Sequence, residues 1–123
     1  MAESALHDCR ILVAEDEYLI ADEFCMELGE AGAVVVGPAG TVEDALQLIA
    51  SAPALDGAVL DVNLRGETVY PAADLLIERG VPFVFATGYD ASIIPSRFGH
   101  VARCEKPVSI AKVVRAIGRA VHP

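Results

Sequence analysis

The sequence predicts an α/β fold in which five βα units build one doubly wound parallel sheet. Two observations lead there. Short apolar runs alternate with stretches of helical periodicity along the chain, and the connections between them are short. Alternation of this kind implies a parallel sheet covered by helices on both faces. No segment reads as a linker, a repeat or a low-complexity tract.

Each element follows from its residues. Ile11-Leu12-Val13-Ala14 is a buried strand, and Tyr18 to Ala31 a helix with Ile20, Phe24 and Leu28 on one face. Ala33 to Val36 is the second strand, closed by Gly37-Pro38-Ala39-Gly40. Thr41 caps the next helix, with Asp44 in a capping-box position and Val42, Ala45, Leu46 and Ile49 facing inward. The third strand is Ala58-Val59-Leu60, ending at Asp61. A polar loop, Asn63 to Thr68, leads to a helix around Ala72 to Arg79, with Pro71 in its first turn and Gly80 at its end. Pro82 to Ala86 is the fourth strand. A weak helix is expected at about Ala91 to Phe98, shortened by Pro95. Val101 to Cys104 is the fifth strand, and Ile110, Val113, Val114, Ile117 and Val121 form the stripe of the last helix.

Right-handed crossovers leave few arrangements for such units. The favoured strand order is 2-1-3-4-5, the flavodoxin-like order. In such sheets the site lies beyond the carboxyl ends of the strands where the winding reverses, here between strands one and three.

The 123 residues suit one domain, and the expectation is a single domain with a core over about residues 9–121 and no output domain. The hydrophobic fraction of 54% supports a core, and no apolar run is long enough to span a bilayer. The start, Met1-Ala2-Glu3-Ser4, lacks a secretory pattern, so a cytoplasmic location is expected. A net charge of -9 argues against nucleic-acid and anionic-membrane partners and favours cations and basic surfaces. Cys9, Cys25 and Cys104 are isolated, as expected of reduced core thiols.

The chemistry gathers at the strand ends. Glu15 and Asp16 follow the first strand and Asp61 ends the third. Adjacent parallel strands lie about 4.8 Å apart, so the fold brings these acids into one pocket. Crowded carboxylates repel, so one of them should hold a proton or the group should bind a cation. Mg2+ suits the pocket because it is hard and prefers oxygen, and the Asn63 backbone carbonyl is a further oxygen donor. Glu17 reads instead as a helix-start acid favoured by the dipole. Thr87 ends the fourth strand and Lys106 follows the fifth. A carboxylate nucleophile, a cation site, a hydroxyl and an ammonium together make a device for phosphoryl chemistry.

This set resembles the receiver domains of two-component signalling, and the match spans Ile11 to Val121. Its motifs are Glu15-Asp16, Asp61 with Asn63, Thr87, and Lys106-Pro107. The resemblance implies that Asp61 is the phosphoacceptor. It implies Mg2+ held by Asp16, Asp61 and the Asn63 backbone, with Glu15 acting through water and Mn2+ or Ca2+ able to substitute. Thr87 and Lys106 would contact the phosphoryl group, and the Lys106-Pro107 bond is often cis in the family. Pro82-Phe83-Val84-Phe85-Ala86-Thr87-Gly88-Tyr89 is similar to the FAT GUY subclass, many of whose stand-alone members work with HWE-type kinases. Two departures stand out. Glu15 replaces the commoner Asp, and Arg103 occupies the place of the usual switch aromatic, three before Lys106. Tyr89 then becomes the candidate moving aromatic, with Gly88 permitting backbone change.

The implied function is a phosphorelay receiver that takes a phosphoryl group from a histidine kinase or a histidine phosphotransfer protein. It would signal to a downstream protein target or act as a carrier, with no stand-alone substrate turnover. A receiver module of a hybrid kinase shares these features. Three other classes fit less well. A flavin binder wants a glycine- and hydroxyl-rich loop where Glu15-Asp16-Glu17 stands. An aspartyl-phosphate phosphatase wants an acid where Asn63 stands. A pseudo-receiver, binding partners without phosphorylation, has no need of Asp61, Thr87 and Lys106.

Overall fold

The computed structural model describes residues 6–52, 54–87, 94–105 and 110–122. Alternating apolar runs and amphipathic stretches become β1 (Arg10–Ala14), α1 (Tyr18–Glu30), β2 (Val34–Ala39), α2 (Val42–Ser51) and β3 (Gly57–Asp61). Two short strands follow, β4 (Asn63–Leu64) and β5 (Glu67–Thr68). The chain continues through α3 (Tyr70–Glu78), β6 (Phe83–Thr87), β7 (Ala102–Glu105) and α4 (Ile110–Val121). The main sheet has the order β2-β1-β3-β6-β7 and every neighbouring pair is parallel. With the two short strands set aside, this is the expected flavodoxin-like order.

Alternation along each strand splits the core in two. Leu12, Ala14, Leu60 and Phe85 face one way and pack with Val42, Ala45 and Ile49 of α2 and Ala72, Ala73 and Leu76 of α3. Ile11, Val13, Val59 and Val84 face the other way and meet Phe24 and Leu28 of α1 and Val113 and Ile117 of α4. Two of the three inner strands, β3 and β6, are buried along their whole length. This is why they read as unbroken apolar runs rather than alternating ones.

The expected helix punctuation is present. Thr41 Oγ1 accepts the Asp44 N–H at 3.1 Å, and Pro71 lies in the first turn of α3. At Gly80 the chain leaves α3 through two backbone bonds, Gly80 N–H to Ile77 O and Val81 N–H to Leu76 O, which satisfy the last carbonyls.

The structure departs from the sequence reading in three places. β2 runs through Gly37-Pro38 to Ala39, which pairs with Ala14 after a register shift. The polar loop at Asn63–Thr68 is an antiparallel hairpin. Within the segment expected as a weak helix, the described part is one 3-10 turn, Ser96–Phe98, entered from Pro95. That turn is fastened to α3. Arg97 donates Nε and Nη2 to the two carboxylate oxygens of Asp74, each at 3.1 Å, and the Phe98 ring stacks on Tyr70 at 5.4 Å.

The three cysteines are free, Cys9 buried and the others half-buried. Burial pushes each thiol above its ordinary pKa, aided at Cys9 by Asp56 and Asp8. Among the described residues no helix is long and apolar enough to cross a membrane. A groove of about 1000 Å³ runs along edge strand β7, with Arg103, Lys112, Arg115 and Arg119 on its wall. Charge on an edge strand discourages pairing with a second sheet.

Gly57 seats α4 on the start of β3. A Cβ there would meet Val121 Cγ2 at 2.9 Å, Ile117 Cδ1 at 3.1 Å and Ile11 Cδ1 at 3.2 Å. Because three methyl groups converge on this point, Gly57→Val is expected to destabilise the fold by about 1–3 kcal/mol. An unchanged urea midpoint in equilibrium denaturation contradicts that packing.

Candidate functional site

Strand register places the acids. β1 pairs with β3 so that Ala14 lies opposite Leu60. The next residues of the two strands, Glu15 and Asp61, therefore leave the sheet side by side. The hydrophobic layers above and below hold both strands rigidly, so the acids cannot splay apart without disturbing buried neighbours.

Glu15, Asp16 and Asp61 each offer an oxygen, and these atoms all lie within 4.8 Å of one another. Glu15 is 2% exposed and Asp61 7%, while Asp16 is half-buried. Each carboxylate accepts a backbone N–H. Glu15 Oε2 takes that of Glu17 at 3.0 Å, and Asp61 Oδ1 takes that of Asn63 at 3.2 Å. Asp16 Oδ2 takes that of Arg65 at 2.9 Å. The first two are local turns in which an acid binds the backbone two residues on. The third spans from the end of β1 to the tip of the β4–β5 hairpin.

Thr87 ends β6, 3% exposed, and its strand lies beside β3, with Ala86 opposite Asp61. The expected hydroxyl is therefore on the strand adjoining the acids. Asn63 opens β4, and its side-chain Oδ1 accepts the Gly66 N–H at 2.9 Å. The side chain of Asn63 thus braces the hairpin. Lys106, Gly88 and Tyr89, with the Lys106-Pro107 bond, lie outside the described residues. Arg103 is on β7 opposite Phe85, exposed, at the position expected of a switch aromatic. It helps to lower the pKa of nearby Tyr70, which burial raises more strongly.

The donor set fits a hard divalent cation. Three carboxylates converge and the donors are all oxygen, as Mg2+ requires. Asp16, Asp61 and Glu15 would hold such an ion, and the Asn63 carbonyl follows directly in the chain. A bound cation would supply positive charge against phosphoryl oxygens.

Two features were not read from the sequence. Arg65 engages Asp16 through its main chain, and the only signal available was Gly66 as a turn residue. Tyr18 and Leu19, beside the acids at the start of α1, are 77% and 74% exposed. They leave two large side chains in solvent next to the polar pocket.

Phe98 ties the 3-10 turn to the layer beneath Asp61, touching Phe85 at 5.6 Å as well as Tyr70. Phe98→Ala is expected to cost about 3–5 kcal/mol of stability. A loss below one kcal/mol, roughly the value for a surface site, would show that this contact does not matter.

No protein-family model matches the chain. The solution structure of SdrG from Sphingomonas melonis is 40% identical, covers 93% of this chain and 98% of its own, and superposes with a TM-score of 0.71. The BeF3-activated conformation of SdrG from Pseudomonas melonis is 36% identical, covers 94% and 98%, and has a TM-score of 0.70. A response regulator receiver protein from Sinorhizobium medicae shares the fold, with a TM-score of 0.81, 23% identity and coverage of 94% and 95%. The transcriptional regulatory protein PdtaR from Mycobacterium tuberculosis is 33% identical over 116 residues, 91% of this chain and 56% of its own length. The chain thus spans about half the length of that curated relative.

Proposed function

The chain belongs to the receiver family of response regulators, and from that premise we propose that it accepts a phosphoryl group on Asp61 with a divalent cation bound beside it. One observation carries this reading. Asp61 ends a fully buried strand with oxygens of Glu15 and Asp16 within 4.8 Å. Three acids are costly to assemble unless a cation uses them.

The residues divide the work. An Asp61 carboxylate oxygen attacks phosphorus in line. The bond from phosphorus to the donor nitrogen or oxygen breaks, and the leaving group takes its electron pair. The product is an acyl phosphate, a mixed anhydride that water later hydrolyses to restore Asp61. Glu15 and Asp16 hold the cation. Thr87 donates its hydroxyl to a phosphoryl oxygen, and Lys106 supplies positive charge by analogy with the family. Asp61 is 7% exposed at the end of its strand. The chain catalyses its own modification and turns over no separate substrate. Asn63 favours this over phosphatase chemistry, because an amide bonded to Gly66 transfers no proton.

The donor is a phosphohistidine on a kinase or phosphotransfer protein that docks over the strand ends against α1. Exposed Tyr18 and Leu19 supply the apolar contact. The Phe83–Tyr89 segment supports FAT GUY membership and an HWE-type donor. With Arg103 in the switch position, Tyr89 is the aromatic that follows Thr87 on activation. The BeF3-activated form of SdrG supports an activatable receiver of this kind.

Incubation with acetyl phosphate and Mg2+ is expected to add one phosphoryl group by intact mass, and Asp61→Asn to abolish the gain. Equal labelling of the variant would reject the acceptor. A chelator is expected to stop labelling as well; persistence would reject the cation role. Leu19→Asp should label normally from acetyl phosphate yet accept poorly from the phosphohistidine protein. Undiminished transfer would remove α1 as the docking face.

A further inference from the structure

The three clustered acids are held in different ways. Glu15 and Asp61 are each braced by an N–H two residues on in the chain, so any backbone that forms those turns braces them. Asp16 depends on a donor 49 positions away, the main-chain N–H of Arg65. The β4–β5 hairpin brings that N–H to Asp16.

The hairpin is built to present it. Asn63 pairs with Thr68 and Leu64 with Glu67, leaving Arg65-Gly66 as a two-residue turn. Both turn residues have positive φ, 51° at Arg65 and 87° at Gly66. This is the backbone of the hairpin turn whose twist matches its strands, and it favours Asn-Gly or Gly-Gly. Arginine is an uncommon residue there, because its Cβ crowds the following carbonyl. The turn is nevertheless pinned from three sides. Leu64 is fully buried in the α2–α3 layer, Asn63 Oδ1 accepts the Gly66 N–H, and Val69 N–H bonds Val62 O at 2.8 Å.

We infer that Arg65 is a positioning residue, whose left-handed backbone aims its N–H at Asp16 Oδ2 and so orients that carboxylate toward a divalent cation. This rests on the reading of the acid cluster as a cation site. With Oδ2 engaged, Asp16 loses rotational freedom before the ion arrives, and the ion's affinity rises accordingly. The guanidinium of Arg65, exposed to solvent, is not what acts. The hairpin also follows directly on Asp61, so the brace on one cation ligand is one residue pair away from the nucleophile's own turn.

The test is Mg2+ titration of the unphosphorylated chain by calorimetry. Arg65→Gly and Arg65→Asn tolerate positive φ and should bind Mg2+ as the parent does. Arg65→Val resists it and should bind about tenfold more weakly, the lower end for losing an outer-shell partner of a ligand. Raising Mg2+ to saturation should return acetyl-phosphate labelling of Arg65→Val to the parent level, with only the half-saturation point displaced. A fold defect alone would not produce that rescue by Asn or by the ion. In the parent chain the Arg65 amide signal in 15N–1H spectra should move on adding Mg2+, a readout that needs no variant. Equal affinity in the Val and Gly variants, equal weakening in both, or an unmoved Arg65 signal would overturn the inference while leaving Asp61 phosphorylation standing. A parent chain that binds no Mg2+ would overturn the cation reading itself.

Discussion

Repulsion among Glu15, Asp16 and Asp61 is the constraint around which this end of the molecule is organised. Two unit charges 4–5 Å apart repel by roughly 3–4 kcal/mol at an effective dielectric near 20. The sheet holds three such groups at that spacing. It can do so because β1 and β3 are central strands, clamped between two apolar layers that leave little freedom to relax. The main chain offsets part of the repulsion by giving each carboxylate an N–H. In the proposed reading a bound cation would complete the balance, and the same positive charge would face an arriving phosphoryl group.

Much of this was legible in the sequence because the relevant signals are periodic or positional. Unbroken apolar runs such as Ala58-Val59-Leu60 announce central parallel strands, and polar residues that end such runs must emerge at one edge of the sheet. Glu15, Asp16, Asp61 and Thr87 were found that way, and the structure brings them to adjoining strand ends. The β4–β5 hairpin was not legible, since two-residue strands carry no period and Arg65 is not a residue that announces a turn of positive φ. The brace on Asp16 was invisible for a deeper reason. Every residue but proline has a backbone N–H, so no residue type marks the one that is used.

The extension of β2 through Gly37-Pro38 shows the opposite failure. That dipeptide is a strong turn signal, yet β2 is an edge strand, where a proline without an N–H is tolerated. Edge position overrode local chemistry. At the other edge, Arg103 stands where receivers usually keep an aromatic. The ring contacts in this region are made instead by Phe85, Phe98 and Tyr70 within the layer below.

The division of the core by the sheet has a consequence for how the molecule tolerates sequence drift. Phe24 and Phe98 lie on opposite sides, each embedded among neighbours that the other does not touch. Substitutions in separate layers share no cavity, so their energies sum to within about 0.3–0.5 kcal/mol. Either side can therefore be remodelled in evolution while the other keeps its shape. The α1–α4 side and the α2–α3 side are free to diverge at different rates.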